Sequence, residues 1–131
     1  MRGGDATIMF MVKVLVAEDD TFLSSLLLRD LVAEHFEASA ARDGVQATEI
    51  TKSWNPDLIL LDLLMPNKDG FEVLADLRAD PKTEKTRVIV LSNLGQTETA
   101  DRIKQFNIAD YLIKAETTPR KVVEKVKALF P

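Results

Sequence analysis

Several short apolar runs of the sequence are each followed by a side chain that can do chemistry. These side chains are the acids Glu18, Asp19 and Asp20 after residues 12–17, Asp62 after residues 58–61, Ser92 after residues 87–91, and Lys114 after residues 109–113. If the runs are parallel strands, these residues meet at the carboxyl edge of one sheet, where open α/β sheets bind ligands. We therefore expect carboxylates, a hydroxyl and an amine to share one site.

Each of these residues also has an ordinary structural interpretation. A carboxylate just after a strand is more often a turn residue or a helix cap than a ligand, and Asp20 is well placed to cap a helix. A serine that ends a strand is usually a loop hydroxyl, and a lysine there is usually solvated. Asp62 is harder to explain in this way, because four apolar residues precede it and three follow it. It is therefore predicted to lie at the mouth of the core.

Three acids in one pocket repel one another, so they either share a proton or bind a cation. The chain has no cysteine and only one histidine, His35, so the available ligands are hard oxygen atoms, which suit Mg²⁺. Because protein-bound Mg²⁺ commonly binds the phosphate group of a substrate, these residues predict a site for a phosphoryl group. Such a site would combine a metal, an amine, a hydroxyl and a nucleophilic carboxylate.

The elements that must position this site alternate regularly along the chain. Strands are predicted at residues 12–17, 36–41, 58–61, 87–91 and 109–113. The first helix is predicted to begin at Asp20 or Thr21, the next three to span 45–53, 71–79 and 97–106, and the last to begin at Thr118-Pro119. Five strand–helix repeats predict an α/β fold with a parallel sheet and helices on both faces. The strand at 36–41 is poor in β-branched residues and is placed at an edge. The stripe of the helix at 97–106 is thin, with only Ala100, Ile103 and Phe106.

Composition limits the remaining choices. The 131 residues are 46% hydrophobic and 29% charged, with a net charge of −4 and no block rich in lysine or arginine. These values predict one globular domain at residues 11–131, and they argue against direct nucleic-acid binding.

The apolar run at residues 8–12 is too short for a signal peptide or a membrane span. Residues 1–10 are expected to form a flexible extension, and the protein is expected to be cytoplasmic.

Five motifs together resemble the receiver domains of bacterial two-component response regulators. They are VLVAEDD at 14–20, DLILLDLLMP at 57–66, Asp69-Gly70, VLS at 90–92 and DYLIK at 110–114. Asp19 precedes Asp62 by 43 residues, Asp62 precedes Ser92 by 30, and Ser92 precedes Lys114 by 22. The resemblance covers nearly the whole chain. It implies a flavodoxin-like, doubly wound sheet of five strands in the order 2-1-3-4-5.

The resemblance also implies a role for each matching residue. Asp62 corresponds to the phosphoacceptor, and Lys114 and Ser92 to its catalytic partners. The Mg²⁺ ligands would be Glu18, Asp19, Asp62 and the backbone carbonyl of Leu64. Ser92 and Tyr111 correspond to the switch residues. Phosphorylation would alter the face formed by the fourth helix, fifth strand and fifth helix.

The sequence departs from the family pattern at three places. Ala115 follows Lys114 where a proline in a cis bond is usual, so a trans peptide or a rearranged loop is expected. Asn93 follows the switch serine where a small residue is usual, and its size is expected to slow access to Asp62. Residues 107–109 lack the glycine that the family often has there, so the end of the fourth helix departs from the family pattern. Leu64 and Leu94 flank the site and are expected to hinder water and slow dephosphorylation.

The resemblance implies that Asp62 accepts a phosphoryl group from a histidine kinase or phosphotransfer protein. The altered face would then bind a downstream protein or a second copy of the chain. A phosphorylation-independent interaction module is the alternative. A phosphatase of the haloacid-dehalogenase type is disfavoured, because it needs an aspartate at the position of Leu64. A flavodoxin-like cofactor binder is disfavoured because clustered carboxylates would repel its phosphate.

Overall fold

The computed structural model describes residues 11–131, and the predicted N-terminal extension lies outside the described residues. Strands and helices alternate throughout this part of the chain. The strands are β1 (Lys13–Ala17), β2 (Glu37–Ala41), β3 (Leu58–Leu61), β4 (Arg87–Ser92) and β5 (Asp110–Ile113). The helices are α1 (Thr21–Ala33), α2 (Gly44–Trp54), α3 (Gly70–Ala79), α4 (Gln96–Lys104) and α5 (Pro119–Leu129), with a 3₁₀ turn at Lys114–Glu116 before α5.

The strands form one parallel sheet in the order β2-β1-β3-β4-β5. This order confirms the prediction and places β2 at an edge. The register aligns Ala17 with Leu61 and Ser92 with Ile113. β1 and β3 therefore end at one level, and β4 and β5 end together two residues beyond it. All four strand ends lie at the carboxyl edge of the sheet, where the chemistry-bearing residues were expected.

The sheet is buried on both faces, which explains why its central strand is wholly apolar. Along β3, Leu58 and Leu60 face one core with α1 and α5, while Ile59 and Leu61 face the other core with α2, α3 and α4. All four side chains are at most 1% exposed. Full burial of a leucine or isoleucine contributes about 1.5–3 kcal/mol. The two cores confirm the doubly wound arrangement.

The helix starts follow the capping signals in the sequence. Asp20 caps α1, and its side chain accepts hydrogen bonds from the backbone N–H groups of Phe22 and Leu23 at 3.0 and 3.1 Å. Thr118 caps α5, with Pro119 as the first helical residue. Both caps confirm the predicted starts, because a side-chain acceptor satisfies N–H groups that have no partner inside the helix.

Helix α4 differs from its prediction. It ends at Lys104 rather than at residue 106, and the expected apolar stripe is wrong at Ala100, which is exposed. Thr99 is buried instead, and Ile103 is buried as expected. Asn107 takes the place of the missing glycine after the end of this helix. Its φ of 53° is a left-handed conformation that asparagine tolerates better than most residues.

The opposite, amino-terminal edge of the sheet carries the single tryptophan of the chain. Trp54 is the last residue of α2, and the Lys13 ammonium lies 5.6 Å from the centre of its ring and donates to its backbone oxygen at 3.1 Å. Lys13 is the first residue of β1.

None of the helices in residues 11–131 has the length and apolar character that crossing a membrane requires.

Candidate functional site

Backbone hydrogen bonds between neighbouring strands bring the candidate residues to one edge. The backbone N–H of Glu18, directly after β1, donates to Ala41 at the end of β2. The N–H of Asp62, directly after β3, donates to the carbonyl of Ala17 at 3.0 Å. The two acids are therefore fixed by the sheet itself and not by mobile loops.

The three acids of this edge form a potential cation site. Glu18, Asp19 and Asp62 each offer a carboxylate oxygen, and these oxygens lie within 4.8 Å of one another. Glu18 and Asp62 are 3% and 4% exposed, whereas Asp19 is exposed to solvent. An all-oxygen set with one accessible member suits a hard divalent cation that retains water ligands. The residues therefore fit the expected Mg²⁺.

The Lys114 ammonium compensates part of this negative charge. Its Nζ lies 2.6 Å from Glu18 Oε1 and 2.8 Å from Asp62 Oδ2. The Glu18 contact is an ion pair without good hydrogen-bond alignment, whereas the ammonium donates a hydrogen bond to Asp62. The structure thus brings Glu18, Asp19, Asp62 and Lys114 together at one edge of the sheet, as the sequence predicted.

Both carboxylates also accept backbone hydrogen bonds that orient them. Glu18 Oε2 accepts from the N–H of Asp20 at 3.0 Å, and Asp62 Oδ1 accepts from the N–H of Leu64 at 3.1 Å. The Leu64 peptide therefore lies against the acid cluster. Its carbonyl as a metal ligand stays a prediction.

Burial and the neighbouring charges shift two pKa values at this site. Burial raises the pKa of Glu18 and the Asp62 charge adds to this effect, although Lys114 and the Asp20 N–H lower it in part. Burial lowers the pKa of Lys114, but its contacts with Asp62 and Glu18 outweigh burial and raise it overall. Glu18 and Lys114 therefore both hold their protons more tightly than they would as isolated groups.

Ser92 is the last residue of β4, and Tyr111 lies on the neighbouring strand β5. Ser92 is fully buried, and its Oγ accepts a long hydrogen bond of 3.4 Å from the N–H of Leu94. The Tyr111 hydroxyl donates to the carbonyl of Leu94 at 2.7 Å and accepts from Thr99 Oγ1 at 3.0 Å. Both predicted switch residues therefore contact the β4–α4 loop, and the buried Thr99 joins them there.

The loop after Lys114 differs from the family pattern in the expected way. There is no cis peptide bond among residues 11–131, so the Lys114–Ala115 bond is trans. The backbone N–H of Ala115 donates to Asn93 Oδ1 at 3.0 Å. The side chain of Asn93 is thus engaged by the Lys114 loop. Leu64 is 54% exposed, while Leu94 is half-buried against the core.

Gly70 is a site residue to which the sequence analysis gave no role. A Cβ atom at this position would lie 2.4 Å from the Asp62 carbonyl oxygen and 2.7 Å from the Leu63 Cα. The N–H of Gly70 donates to the Leu63 carbonyl at 3.0 Å. Glycine thus allows α3 to begin directly against the backbone of Asp62. The Asp69-Gly70 pair was the available signal in the sequence.

Comparison with known proteins agrees with this geometry. Residues 14–127 match the family described as the response regulator receiver domain. The DNA-binding dual master transcriptional regulator RpaA of Synechocystis is 34% identical over 92% of this chain and 49% of its own length. The chemotaxis protein CheY of Halobacterium salinarum is 31% identical over 82% of this chain and 88% of its own length.

Solved structures show the same fold. The Mn²⁺-bound form of response regulator Rcp1 has a TM-score of 0.78 at 28% identity, covering 91% of this chain and 94% of that one. The phosphorylated cyanobacterial phytochrome response regulator RcpA has a TM-score of 0.77 at 29% identity, covering 92% and 91%.

A doubly wound sheet with an acid cluster and a lysine at its carboxyl edge defines a domain of the CheY-like class. The chain belongs to the response regulator receiver domain family. Receiver domains are the phosphorylation-dependent switches of two-component systems, and they bind Mg²⁺ at an acidic pocket. The chain spans about half the length of the first curated relatives that it matches.

Proposed function

We propose that Asp62 is the phosphoacceptor of this receiver domain and that its donor is the phosphohistidine of a histidine kinase or phosphotransfer protein. The observation that carries this proposal is the position of the Asp62 carboxylate. It is buried, its oxygen lies within 4.8 Å of a carboxylate oxygen of each of two other acids, and it is 2.8 Å from the Lys114 ammonium. An aspartate with a purely structural role at a strand end would not require two further acids and an ammonium group beside it.

The transfer would be a direct displacement at phosphorus. A carboxylate oxygen of Asp62 forms a bond to phosphorus while the phosphorus–nitrogen bond of the phosphohistidine breaks. The electron pair of that bond stays on the imidazole nitrogen of the donor, and the product is an aspartyl phosphate. Because the side chain has little bond-making to do beyond this attack, the site acts through positioning and electrostatic stabilisation.

Glu18, Asp19, Asp62 and the carbonyl of Leu64 would hold Mg²⁺. When bound, this ion supplies positive charge that balances the carboxylates and the phosphoryl oxygens. Lys114 supplies a second positive charge beside Asp62. The ammonium already lies beside the acceptor, so it can stabilise developing charge on a phosphoryl oxygen without a large rearrangement.

The switch would begin at Ser92. Its hydroxyl accepts a long hydrogen bond of 3.4 Å from the Leu94 N–H, and such a weak bond costs little to break when the hydroxyl turns to donate to a phosphoryl oxygen. Leu94, two residues further on, is held by the Tyr111 hydroxyl. A movement of Ser92 would therefore reach Tyr111 through the loop. The α4-β5-α5 face would change and bind a downstream protein or form a homodimer.

The lifetime of the aspartyl phosphate would depend on the residues around it. Leu64 and Leu94 are apolar and flank the phosphoacceptor, and Asn93 is larger than the residue expected at its position. Leu64 and Leu94 are proposed to hinder an attacking water, and the three side chains together are proposed to modulate access to Asp62. We expect slow self-dephosphorylation in purified, Mg²⁺-containing protein. Loss of the phosphoryl group within seconds would contradict this proposal.

The partners of the whole protein are also inferred. The family supports a histidine kinase as donor and a cytoplasmic location. Several relatives are named as DNA-binding or transcriptional regulators, and this chain matches about half of their length. We propose that the described domain itself contacts proteins and not nucleic acid or membrane.

Asp62→Asn tests the proposal directly. The wild-type protein and the variant are incubated with acetyl phosphate and Mg²⁺, and phosphorylation is located by mass spectrometry. We expect modification of the wild type at Asp62 and none of the variant. Beryllofluoride, which mimics the phosphoryl group, should bind only to the wild type.

Asp57→Asn is the matched control, because Asp57 precedes the same strand whose other end leads to Asp62. This variant should be phosphorylated like the wild type. Modification of wild type and Asp62→Asn alike, or of neither, would refute Asp62 as the acceptor. Such an outcome would favour the phosphorylation-independent interaction module.

A further inference from the structure

The loop that carries Lys114 is tied to the loop that follows Ser92. Ser92 and Ile113 are partners in the register of β4 and β5, so the next residues, Asn93 and Lys114, leave the sheet side by side. The side chain of Asn93 then reaches one residue further, and its Oδ1 accepts the backbone hydrogen bond of Ala115 at 3.0 Å. Asn93 does this from an exposed position.

The hydrogen bond satisfies a group that the local backbone leaves without a partner. Ala115 is the second residue of the short 3₁₀ turn, and no side chain of the turn caps it. The first N–H groups of such a turn have no acceptor within it. The carbonyl of the Asn93 side chain supplies that acceptor. Its bond therefore fixes the backbone next to Lys114.

The backbone position of Lys114 determines where its ammonium can reach. That ammonium contacts Glu18 at 2.6 Å and Asp62 at 2.8 Å, and its side chain is 18% exposed. Reaction rates are sensitive to displacements of about 1 Å in such groups. A hydrogen bond that holds the adjacent peptide can therefore influence the transfer without touching the reacting atoms.

We propose that Asn93 is a positioning residue for Lys114, acting through the hydrogen bond from the Ala115 N–H to its side chain. The effect of Asn93 on phosphoryl transfer rests on the proposed function of Asp62. Asn93 and Ala115 both depart from the family pattern, and this hydrogen bond joins them. A proline in place of Ala115 would have no N–H to donate. This role differs from obstruction of access, which predicts the opposite effect of a smaller side chain.

Asn93→Ala removes the acceptor, and Asn93→Asp retains an oxygen at the same place. In Asn93→Ala we expect the initial rate of Mg²⁺-dependent phosphorylation by acetyl phosphate to fall about fivefold, as loss of one exposed hydrogen bond would give. Hydrogen exchange of the Ala115 amide should accelerate by a similar factor. Asn93→Asp should restore both values. Thr97→Ala, an exposed change in the following helix, should alter neither.

The NMR signal of the Lys114 ammonium provides a readout that does not depend on phosphorylation. It should be sharp in the wild type and in Asn93→Asp, and broadened by solvent exchange in Asn93→Ala. An unchanged ammonium signal or unchanged Ala115 exchange in Asn93→Ala would overturn the positioning role. A faster phosphorylation rate would also overturn it, in favour of obstruction. If the wild type is not phosphorylated at all, the proposed function fails, while the ammonium signal still decides the positioning role.

Discussion

Glu18 links the protonation of the site to its affinity for a cation. Burial raises the pKa of this carboxyl above its ordinary value of 4.5, and a metal ligand must be deprotonated. As the pH falls through this raised pKa, a proton occupies the carboxylate and competes with Mg²⁺. As the pH rises above it, the competition ends.

The Mg²⁺ affinity should therefore fall on acidification before the ordinary range of glutamate is reached. One displaced proton corresponds to about a tenfold loss of affinity per pH unit below the pKa. Isothermal titration calorimetry over a series of pH values checks this. Glu18→Gln should bind Mg²⁺ more weakly and with a flatter pH dependence. A wild-type affinity that stays constant until glutamate normally protonates would contradict the assignment.

At the scale of elements, the start of α3 is set by a close approach and not by helix propensity. Alanine is favoured over glycine in a helix by about 1 kcal/mol. At Gly70, however, a Cβ would lie 2.4 Å from the Asp62 carbonyl oxygen. Gly44, at the start of α2, makes a similar approach to the Lys68 carbonyl.

Gly70→Ala should therefore lower the free energy of unfolding, by about 1–3 kcal/mol, and should also weaken Mg²⁺ binding, because relief of the clash moves Asp62. Gly44→Ala is the matched control. It should be destabilised as well but should keep its Mg²⁺ affinity after correction for the unfolded fraction. Urea unfolding and calorimetry give the two quantities. Equal effects of both variants on Mg²⁺ would argue against a specific role of Gly70.

Helix α4 is held to its neighbours by a few polar and cationic contacts. The Arg102 guanidinium lies 3.5 Å from the centre of the Phe71 ring on α3. Arg78 on α3 donates a hydrogen bond to the carbonyl of Phe106, just after α4, at 2.8 Å. Ile103 is the buried apolar residue of the helix. Such an element can move at a small cost in free energy.

Arg102→Ala should loosen α4 without unfolding the domain. The lost cation–π contact corresponds to about 0.5–1 kcal/mol at an exposed site. Hydrogen exchange should accelerate a few fold in α4 and stay unchanged in β3 and α3. Arg29→Ala, on the exposed face of α1, serves as control. Acceleration spread evenly over all helices would show that Arg102 stabilises the whole fold instead.

The sequence predicted the elements well because their signals are local. The apolar run of β3 and the caps Asp20 and Thr118 each depend on residues within a few positions. The stripe of α4 was wrong because Thr99 is buried by a contact with Tyr111, twelve residues away. Ala100, the next residue of the helix, is exposed.

The acid cluster and Lys114 were predicted because parallel strands deliver their ends to a common edge. The contacts made by loops were not predictable in this way. The bond between Asn93 and Ala115 joins residues 22 positions apart, and the role of Gly70 depends on the path of a neighbouring backbone. Neither leaves a periodic pattern in the sequence.

At the scale of the whole molecule, cation binding should contribute to stability. A ligand that binds only the folded state stabilises it by about 2.7 kcal/mol at 100 times its dissociation constant. For a domain of this size that corresponds to a rise of roughly 10 °C in Tm. Relief of the repulsion among Glu18, Asp19 and Asp62 is the physical source of this effect.

Differential scanning calorimetry should show this rise with Mg²⁺ and its reversal by a chelator. Asp19→Asn should reduce the rise strongly, because it removes the exposed ligand of the cluster. Asp57→Asn, at the opposite edge, should behave like the wild type. A Tm that is indifferent to Mg²⁺ in the wild type would refute the cation site.

The placement of Trp54 gives the molecule a fluorophore at the far end from its acids. Its indole lies beside Lys13, at the start of the strand whose other end leads to Glu18. The emission of this ring therefore senses whether α2 is docked on the sheet, and it is remote from events at the carboxyl edge. Folding can therefore be followed by Trp54 fluorescence while the Mg²⁺ concentration is varied in the same sample, because metal binding at the carboxyl edge does not directly alter the emission of this ring.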